Sequence, residues 1–390
     1  MAVALPAAPV APPDAAPANV EAADRVDLLD GGREAYPRML AAIAAARTSV
    51  YLEVYAFSPN GWGRQFLDAL VDAAARGVRV RVILDGWGSL RGGRFVKARL
   101  NAAGCECAIY NRFLSLFVLR LRRDHRKILL VDDEVAFLGG INIGDEYAAT
   151  EERLGWADLA LQIRGPAAVR LGHMLRREKL GDWAGGVHIY LSSESGGRKL
   201  RRRYLKAFAA AQQLILVAHA YFLPDAGVIR ALRRAARRGV TVKLLLAGRS
   251  DVPFFRAATA TLYRRLLTAG VLIYEWSSSV LHAKAATIDH RRFLVGSFNL
   301  DPLSLSNLET LVEIEDLDVV PRADAWIDSH LAGARAITLA DCATSWWHRW
   351  FVDWVGLAFA RLAEWLGVLT RRSPGLPDRP RRRGRRGGRS

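Results

Sequence analysis

One short pattern, His-x-Lys-x-x-x-x-Asp, occurs twice in this 390-residue chain. The first copy comprises His125, Lys127 and Asp132, and the second comprises His282, Lys284 and Asp289. Imidazole can act as a nucleophile or as an acid and base near neutral pH. A lysine ammonium is a compact charge suited to a phosphate oxygen. Two such pairs facing each other would form a site for breaking and remaking a phosphodiester, so these six are the candidate catalytic residues.

Each copy lies at the start of an apolar run typical of a β-strand, HRKILLVDD and HAKAATIDH. Residues two apart in a strand share a face, so the histidine and lysine of each copy point the same way. The aspartate is on the opposite face from its histidine and ~20 Å away in an extended chain. We therefore assign Asp132 and Asp289 a structural role, in the turn that closes each strand.

Two other carboxylates are better placed to contact the imidazoles. Asp158 and Glu309 each come directly before the next apolar run, at equivalent places in the two parts of the chain. A carboxylate on the far ring nitrogen of a histidine fixes its tautomer and stabilises the imidazolium. We therefore predict that Asp158 and Glu309 orient the two histidines.

Three polar residues follow the motifs in glycine-containing turns and are candidates to bind phosphate. Asn142, Ser297 and Asn299 could donate hydrogen bonds to phosphoryl oxygens as charge develops there. A simple turn role is the alternative for the two asparagines. Glu53, in the apolar run YLEVYAF, is a further candidate site residue. The equivalent position in the second half lies near His219 and holds no matching carboxylate, so the repeat does not support this assignment.

The flanks of the two copies also repeat. Residues 51–86 and 214–248 each contain an apolar run, a turn with Pro and Gly, an amphipathic helix, an Arg-Gly-Val step and a second apolar run. The motifs are followed by GGIN and GSFN, and then by another apolar run. A period this long indicates a duplicated domain rather than a solenoid. The order strand, helix, strand predicts α/β units with a largely buried sheet.

Length and composition agree with two domains of ordinary size. Residues 1–25 are Ala/Pro-rich, lack the features of a secretory signal, and are predicted to be a flexible leader. We place the first half at residues 26–190 and the second at 191–335, because Gly and Ser accumulate around that seam. Cys105-x-Cys107 lacks a second pair of ligands, so we predict inert thiols and no metal site.

The C-terminal part carries signals of a membrane surface. Residues 336–370 are predicted to contain an amphipathic helix, with charges on one side and Trp, Phe and Leu on the other. Internal charges argue against a spanning helix, and tryptophan suits the headgroup boundary. A helix docked on the protein is the alternative. The apolar stretch 111–123 could border a lipid entrance or form a core helix.

A basic tail follows this helix. Residues 371–390 hold nine arginines and one aspartate, which supply +8 of the chain's net charge of +17. We predict that this segment is disordered and attracted to an anionic leaflet, where each charge contributes about 1 kcal/mol. A nonspecific polyanion binder is the alternative for the tail taken alone.

The motifs and their flanks resemble the phospholipase D superfamily, and most of all bacterial cardiolipin synthases of the type without transmembrane helices. RRDHRKILLVDDEVAFLGGIN and LHAKAATIDHRRFLVGSFNLDPLSL carry the resemblance, which extends over residues 26–320. It implies two similar phospholipase D-like α/β halves, each a mixed sheet flanked by helices, with the site between them. It implies that His125 attacks phosphorus to form a phosphohistidine, and that His282 acts as acid and then base. It also implies that the lysines and asparagines hold the phosphate without a metal or other cofactor.

A synthase would transfer a phosphatidyl group from phosphatidylglycerol or phosphatidylethanolamine to phosphatidylglycerol. The expected partners are phospholipids and an anionic membrane surface, with a peripheral location on the cytoplasmic face of the bacterial inner membrane. A hydrolytic phospholipase D shares every motif and is the main alternative. A nuclease is less favoured because much of the excess charge lies in the tail, beside the Trp-rich stretch. Two complete motifs argue against a non-catalytic scaffold. The donor lipid, the oligomeric state and the attacking histidine stay open at this level.

Overall fold

The structure is a computed structural model, and it describes most of the chain between residues 23 and 342. The described ranges are 23–111, 122–150, 153–178, 185–192, 196–252, 255–315 and 317–342. Most of the predicted leader, most of the stretch 111–123, the Trp-rich part of the predicted helix and the basic tail lie outside them. Within these ranges, no helix has the length and apolar character needed to cross a bilayer.

In the described residues, the first half is a seven-stranded mixed sheet with four helices. Its strands are β1 (Arg25–Asp30), β2 (Ser49–Val54), β3 (Arg79–Asp85), β4 (Glu106–Tyr110), β5 (Lys127–Val131), β6 (Val135–Gly139) and β7 (Leu159–Arg164). Its helices are α1 (Gly31–Ala44), α2 (Trp62–Ala75), α3 (Gly93–Ala102) and α4 (Pro166–Leu175). The spatial strand order is β1-β7-β6-β5-β2-β3-β4. Strands β2, β3 and β4 are parallel, and the others pair antiparallel.

The second half repeats this plan with one extra strand. Its strands are β8 (Val187–Leu191), β9 (Leu214–His219), β10 (Thr241–Ala247), β11 (Leu272–Trp276), β12 (Lys284–Ile288), β13 (Arg292–Gly296), β14 (Thr310–Glu315) and β15 (Arg335–Ile337). Its helices are α5 (Arg198–Ala210), α6 (Ala226–Arg237), α7 (Phe255–Ala260), α8 (Tyr263–Leu267) and α9 (Val319–Ala332). The order β15-β11-β10-β9-β12-β13-β14-β8 matches the first sheet strand for strand, with β15 added at one edge. The prediction of two similar α/β halves is confirmed.

The two sheets face each other across a shared apolar core. Ile128 and Leu130 from the first sheet and Ala285 and Val295 from the second lie in this core. Helices α1 to α3 pack on the outer face of the first sheet, whereas α5, α6 and α8 pack on the outer face of the second. Strands β5 and β12 are therefore buried on both faces, which explains why their sequences are continuous apolar runs.

Two predicted boundaries differ from the structure. Strand β8 pairs antiparallel with β14, from Val187 opposite Ile314, so the second half begins before residue 191. Gly and Ser lie on both sides of this strand, so composition alone could not assign it to either sheet. The segment 336–370 also does not begin as a helix, because Ile337 pairs with Ile273 in the edge strand β15.

Candidate active site

Each motif histidine is fixed by a backbone bridge to the other half. The His125 amide donates to the carbonyl of Leu308 at 2.9 Å, and the His282 amide donates to the carbonyl of Ala157 at 2.8 Å. The two motif strands begin directly after these bridges. Both motifs therefore lie at the interface of the halves.

The imidazoles are paired with carboxylates across this interface. Nδ1 of His125, in the first half, lies 3.1 Å from a carboxylate oxygen of Glu309, in the second. Nδ1 of His282, in the second half, lies 2.6 Å from a carboxylate oxygen of Asp158, in the first. Leu308 and Ala157, which form the backbone bridges, directly precede Glu309 and Asp158 in the chain. Each histidine is therefore paired with the carboxylate of the other half. A carboxylate that accepts from Nδ1–H leaves Nε2 of each ring available for chemistry.

The two lysines are buried beside their own histidines. Nζ of Lys127 donates to the carbonyl of His125 at 2.7 Å, and Nζ of Lys284 donates to the carbonyl of His282. Burial, reinforced by the charge of Lys284, lowers the pKa of Lys127 to about 7 against the attraction of Glu309. Burial likewise lowers the pKa of Lys284 to about 8. A phosphate anion bound between the two ammonium groups would favour their charged forms.

In the free protein, both imidazoles are neutral near pH 7. Burial, followed by the charges of Lys127 and Lys284, lowers the pKa of His125 well below its ordinary value. Burial and Lys284 lower the pKa of His282 to about 4, although Asp158 opposes this shift by its charge and its hydrogen bond. Burial raises the pKa of Glu309 to about 8, against the effect of Lys127. Neutral imidazole is the form that can attack phosphorus.

The hydroxyl of Ser297 has a different partner from the one that the sequence suggested. It donates to the carboxylate of Glu309 and accepts from the amide of Thr310 at 2.9 Å. The carbonyl of Ser297 also lies 3.2 Å from Nδ1 of His125. Ser297 therefore helps to hold the carboxylate that orients His125, and its bond to a phosphoryl oxygen stays a prediction.

The two asparagines are buried at equivalent places after β6 and β13. The side-chain amide of Asn142 donates to the hydroxyl of Tyr147 at 2.6 Å and accepts from the amide of Ala56 at 3.2 Å. The side-chain oxygen of Asn299 has no hydrogen-bond partner among the described residues. Phosphate binding by either residue stays a prediction.

Four aromatic residues that the sequence did not single out surround the histidines. The Tyr55 ring centroid lies 4.9 Å from that of His125, and the Lys127 ammonium lies 5.1 Å from the centre of the same Tyr55 ring. Tyr147, Trp156 and Tyr221 lie 5.3, 5.4 and 5.8 Å from the ring of His282. Two of these residues could have been found from their positions in the repeat. Tyr55 follows β2, which pairs with β5, and Tyr221 follows β9, which pairs with β12.

Glu53 is a buried structural partner. Its carboxylate accepts from the guanidinium of Arg126 at 3.2 Å. The same guanidinium donates to the carbonyl of Ser192 at 2.5 Å, and the amide of Ser192 donates to the carbonyl of Glu309 at 2.9 Å. Glu53 therefore supports the position of Glu309 through Arg126.

The three cysteines are free thiols. Cys105 and Cys107 are buried, and burial raises the pKa of Cys107 to about 11. Across the described ranges, no group of three or more His, Cys, Asp or Glu side chains could hold a metal ion.

Comparison with known proteins identifies the family. A family model described as cardiolipin synthase, phospholipase D-like domain matches residues 39–154 and 204–331. The chain belongs to this family. The two matched segments contain both motifs.

Curated relatives support the same assignment. Cardiolipin synthase B of Salmonella typhimurium is 33% identical over 317 residues, which cover 75% of this chain and 77% of that protein. Cardiolipin synthase B of Escherichia coli K12 is 34% identical with the same coverage. The major cardiolipin synthase ClsA of Bacillus subtilis is 28% identical over 342 residues, which cover 80% of this chain and 70% of that protein.

Solved structures support the fold. A phosphatidylserine synthase from Haemophilus influenzae superposes with a TM-score of 0.70 at 12% identity, covering 88% of this chain and 95% of that one. A polyphosphate kinase from Porphyromonas gingivalis gives a TM-score of 0.51 at 15% identity, covering 77% of this chain and 49% of that one. At these identities the likeness concerns the fold alone.

The motif aspartates of this family member lie in tight turns. Asp132 and Asp289 have φ angles of 55° and 52°, and the residue after each is also left-handed. Asp132 accepts from three successive backbone amides, those of Arg47, Thr48 and Ser49, at 2.8 to 2.9 Å. Asp289 accepts in the same way from residues 212–214 at 2.8 Å. These contacts tie each motif strand to the strand beside it.

Replacing Asp132 with Ala should destabilise the protein by about 2 kcal/mol, because its hydrogen bonds to three successive backbone amides are lost. Burial raises the pKa of Asp132, but the three amides outweigh it and lower the pKa below 3.8. The contribution is therefore complete above pH 3.8 and disappears as pH falls through the lowered pKa. Urea unfolding at neutral and acidic pH measures it. Turnover per folded molecule should stay within about threefold. A large loss of turnover at unchanged stability would place Asp132 in the chemistry instead.

Proposed function

We propose that this chain is a cardiolipin synthase, which transfers a phosphatidyl group to phosphatidylglycerol through a phosphohistidine. The observation that carries the proposal is the crossed arrangement of two imidazoles, two carboxylates and two buried lysines at one interface. The relatives named cardiolipin synthase support the same reaction class. The donor is phosphatidylglycerol or phosphatidylethanolamine.

The first step forms a bond from Nε2 of His125 to phosphorus and breaks the bond from phosphorus to the leaving alcohol. The bound phosphodiester anion and Asp158 together favour the charged form of His282. This imidazolium gives its Nε2 proton to that alcohol, which leaves as glycerol when the donor is phosphatidylglycerol. His282 suits the acid role because Asp158 supports its charged form at 2.6 Å. His125 suits attack because burial and two lysines keep it neutral.

The second step reverses these roles. His282 takes a proton from a hydroxyl of phosphatidylglycerol, and that oxygen attacks phosphorus while the bond to His125 breaks. His125 returns to its neutral form and His282 is again protonated, so atoms and protons balance over the cycle. One phosphodiester is broken and one is made. Lys127 and Lys284 would offset the charge on the phosphoryl oxygens in both steps.

A synthase must also favour a lipid alcohol over water. The described site residues are buried, with Lys284 only 1% exposed and His282 only 4% exposed. Exclusion of water from the phosphohistidine is what separates transfer from hydrolysis. We further propose a peripheral position on the cytoplasmic face of the membrane, aided by the Trp-rich segment and the basic tail.

Product analysis tests the proposed reaction. The full chain, incubated with phosphatidylglycerol vesicles and a chelator, should form cardiolipin and glycerol in equal amounts. Mass spectrometry of the lipids and an assay for glycerol measure both products. Phosphatidic acid without cardiolipin would indicate the hydrolytic alternative. Cleavage of a short oligonucleotide, with the lipid unchanged, would indicate the nuclease.

A further inference from the structure

Most of the exposed large apolar side chains lie on segments that hold or contact residues beside the two histidines. Within the described ranges, nine such side chains are more than a third exposed. Six of them lie on segments that hold site residues or are hydrogen-bonded to the segments that do, and we call these six the rim. The rim consists of Trp87, Leu90, Phe95, Leu154, Val252 and Leu303. The remaining three are Val169, Leu272 and Leu339.

The segment after β3 supplies half of the rim and is bonded to the site. The buried carboxylate of Asp85 accepts from the amides of Trp87 and Gly88 at 2.9 and 3.0 Å, and from the amide of Asp124, beside His125, at 2.9 Å. The hydroxyl of Ser89 also donates to the carbonyl of Tyr55 at 3.0 Å. Leu90 is 52% exposed directly after these hydrogen-bonded residues, and Phe95, near the start of α3, is 53% exposed.

The other rim residues come from three more segments. Leu154 is two residues before Trp156, whose ring lies beside His282. Val252 follows Asp251, which accepts from the hydroxyl of Tyr221 at 2.6 Å.

Leu303 belongs to the turn that follows Asn299. In this turn the hydroxyl of Ser304 accepts from the Asn299 amide at 3.2 Å. Both halves thus contribute exposed apolar side chains on segments connected to the site.

Cations accompany these apolar side chains. The guanidinium of Arg123 lies 4.6 Å from the centre of the Trp87 ring. Arg91, Arg94 and Arg249 are exposed on the same segments. Apolar side chains that insert among acyl chains, with arginines at the level of the phosphates, are the combination that binds a bilayer surface.

A second basic surface of the protein lacks this combination. The outer faces of α5 and α6 carry exposed cations such as Lys206, Arg230 and Arg234. No large apolar side chain of α5 or α6 is among the nine exposed ones. These helices also cover the outer face of the second sheet, whereas the catalytic lysines lie at the interface of the halves.

We propose that the rim is the surface by which the protein docks on a phospholipid bilayer, so that a headgroup enters the site without leaving the membrane. The inference rests on the proposed function in that it assumes a lipid substrate. Rim insertion would also help to keep bulk water from the opening, which transfer to a lipid alcohol requires.

The test compares two matched double variants of the full chain. Leu90→Ser with Phe95→Ser removes rim residues, and Val169→Ser with Leu272→Ser removes exposed apolar residues away from the site. Sedimentation with phosphatidylglycerol vesicles is measured at high salt, where attraction by the basic tail is screened. The rim variant should bind about tenfold more weakly than the control variant, because buried apolar area is lost.

Turnover separates docking from chemistry. The rim variant should convert phosphatidylglycerol in vesicles about tenfold more slowly, in line with its weaker binding. Both variants should convert a short-chain phosphatidylglycerol, kept below its micelle concentration, within about twofold of the wild type.

Three results would overturn the inference. The first is equal binding of vesicles by the rim and control variants. The second is a loss of turnover by the rim variant that is as large on the short-chain substrate as on vesicles. The third is a rim variant that binds a DNA duplex more weakly than the control variant does but binds vesicles equally well. If the wild type makes no cardiolipin, the proposed reaction fails, but vesicle binding still decides whether the rim docks on lipid.

Discussion

His125→Ala should lose both turnover and the covalent intermediate, with a fall in rate of at least about a thousandfold. The expectation follows from the geometry, because Glu309 holds Nδ1 of this ring and leaves Nε2 for phosphorus. His282→Ala should lose turnover to a similar extent for a different reason, since the leaving alcohol then lacks its acid. The two variants are distinguished with a phosphatidyl ester of p-nitrophenol, a leaving group that needs no proton.

With that substrate, His282→Ala should release one equivalent of p-nitrophenol in a burst and then stop with the phosphatidyl group on His125. The stop is expected because the incoming alcohol has no base. His125→Ala should give no burst. Mass spectrometry of the trapped protein locates the phosphate. His290→Asn is a suitable control because His290 lies in a turn at φ 58°, which asparagine tolerates. A burst in His125→Ala but not in His282→Ala would exchange the two roles.

Lys127→Met should lower turnover by about a thousandfold while the fold stays as stable as the wild type or becomes more stable. Lys127 is 4% exposed, and its pKa is lowered to about 7 mainly by burial. A buried cation costs folding free energy, whereas methionine has a similar volume without charge. Turnover and urea unfolding of the same preparation measure both effects.

The pH dependence of stability gives a second measure of the same lysine. Because the pKa of Lys127 in the folded protein is about 7, below the ordinary 10.5, the unfolded chain binds more protons between these values. The wild type should therefore gain stability as pH rises through this window. Lys127→Met should lack that part of the gain, whereas Lys206→Met, at an exposed position of α5, should keep it. Unchanged turnover in Lys127→Met would remove this lysine from the mechanism.

The crossed pairing makes the two halves interdependent. The ring of His125 is oriented by Glu309 and the ring of His282 by Asp158, so each half holds the histidine of the other. Arg126 adds a further link, because it joins Glu53 of the first sheet to Ser192 and so to the backbone of Glu309. A shift of one sheet against the other would therefore disturb both histidines together.

Several features were accessible from sequence because they depend on short-range geometry. The alternation of a strand places His125 and Lys127 on one face, and it excludes Asp132 from that face. The repeated order of strands and helices predicts two similar sheets, since each apolar run can be buried only against another layer. The spacing after each motif was enough to name Asp158 and Glu309 as candidates.

Tertiary structure alone decided which carboxylate serves which histidine, because the partners are 184 and 124 positions apart in the chain. Only the tertiary structure shows that the Ser297 hydroxyl donates to Glu309 and that β8 belongs to the second sheet. The rim depends on it as well, since its six side chains come from four separate segments. Sequence periodicity reports which face of its own element a residue occupies. The approach of two sheets depends on how their buried faces pack together, and local spacing holds no information about that distance.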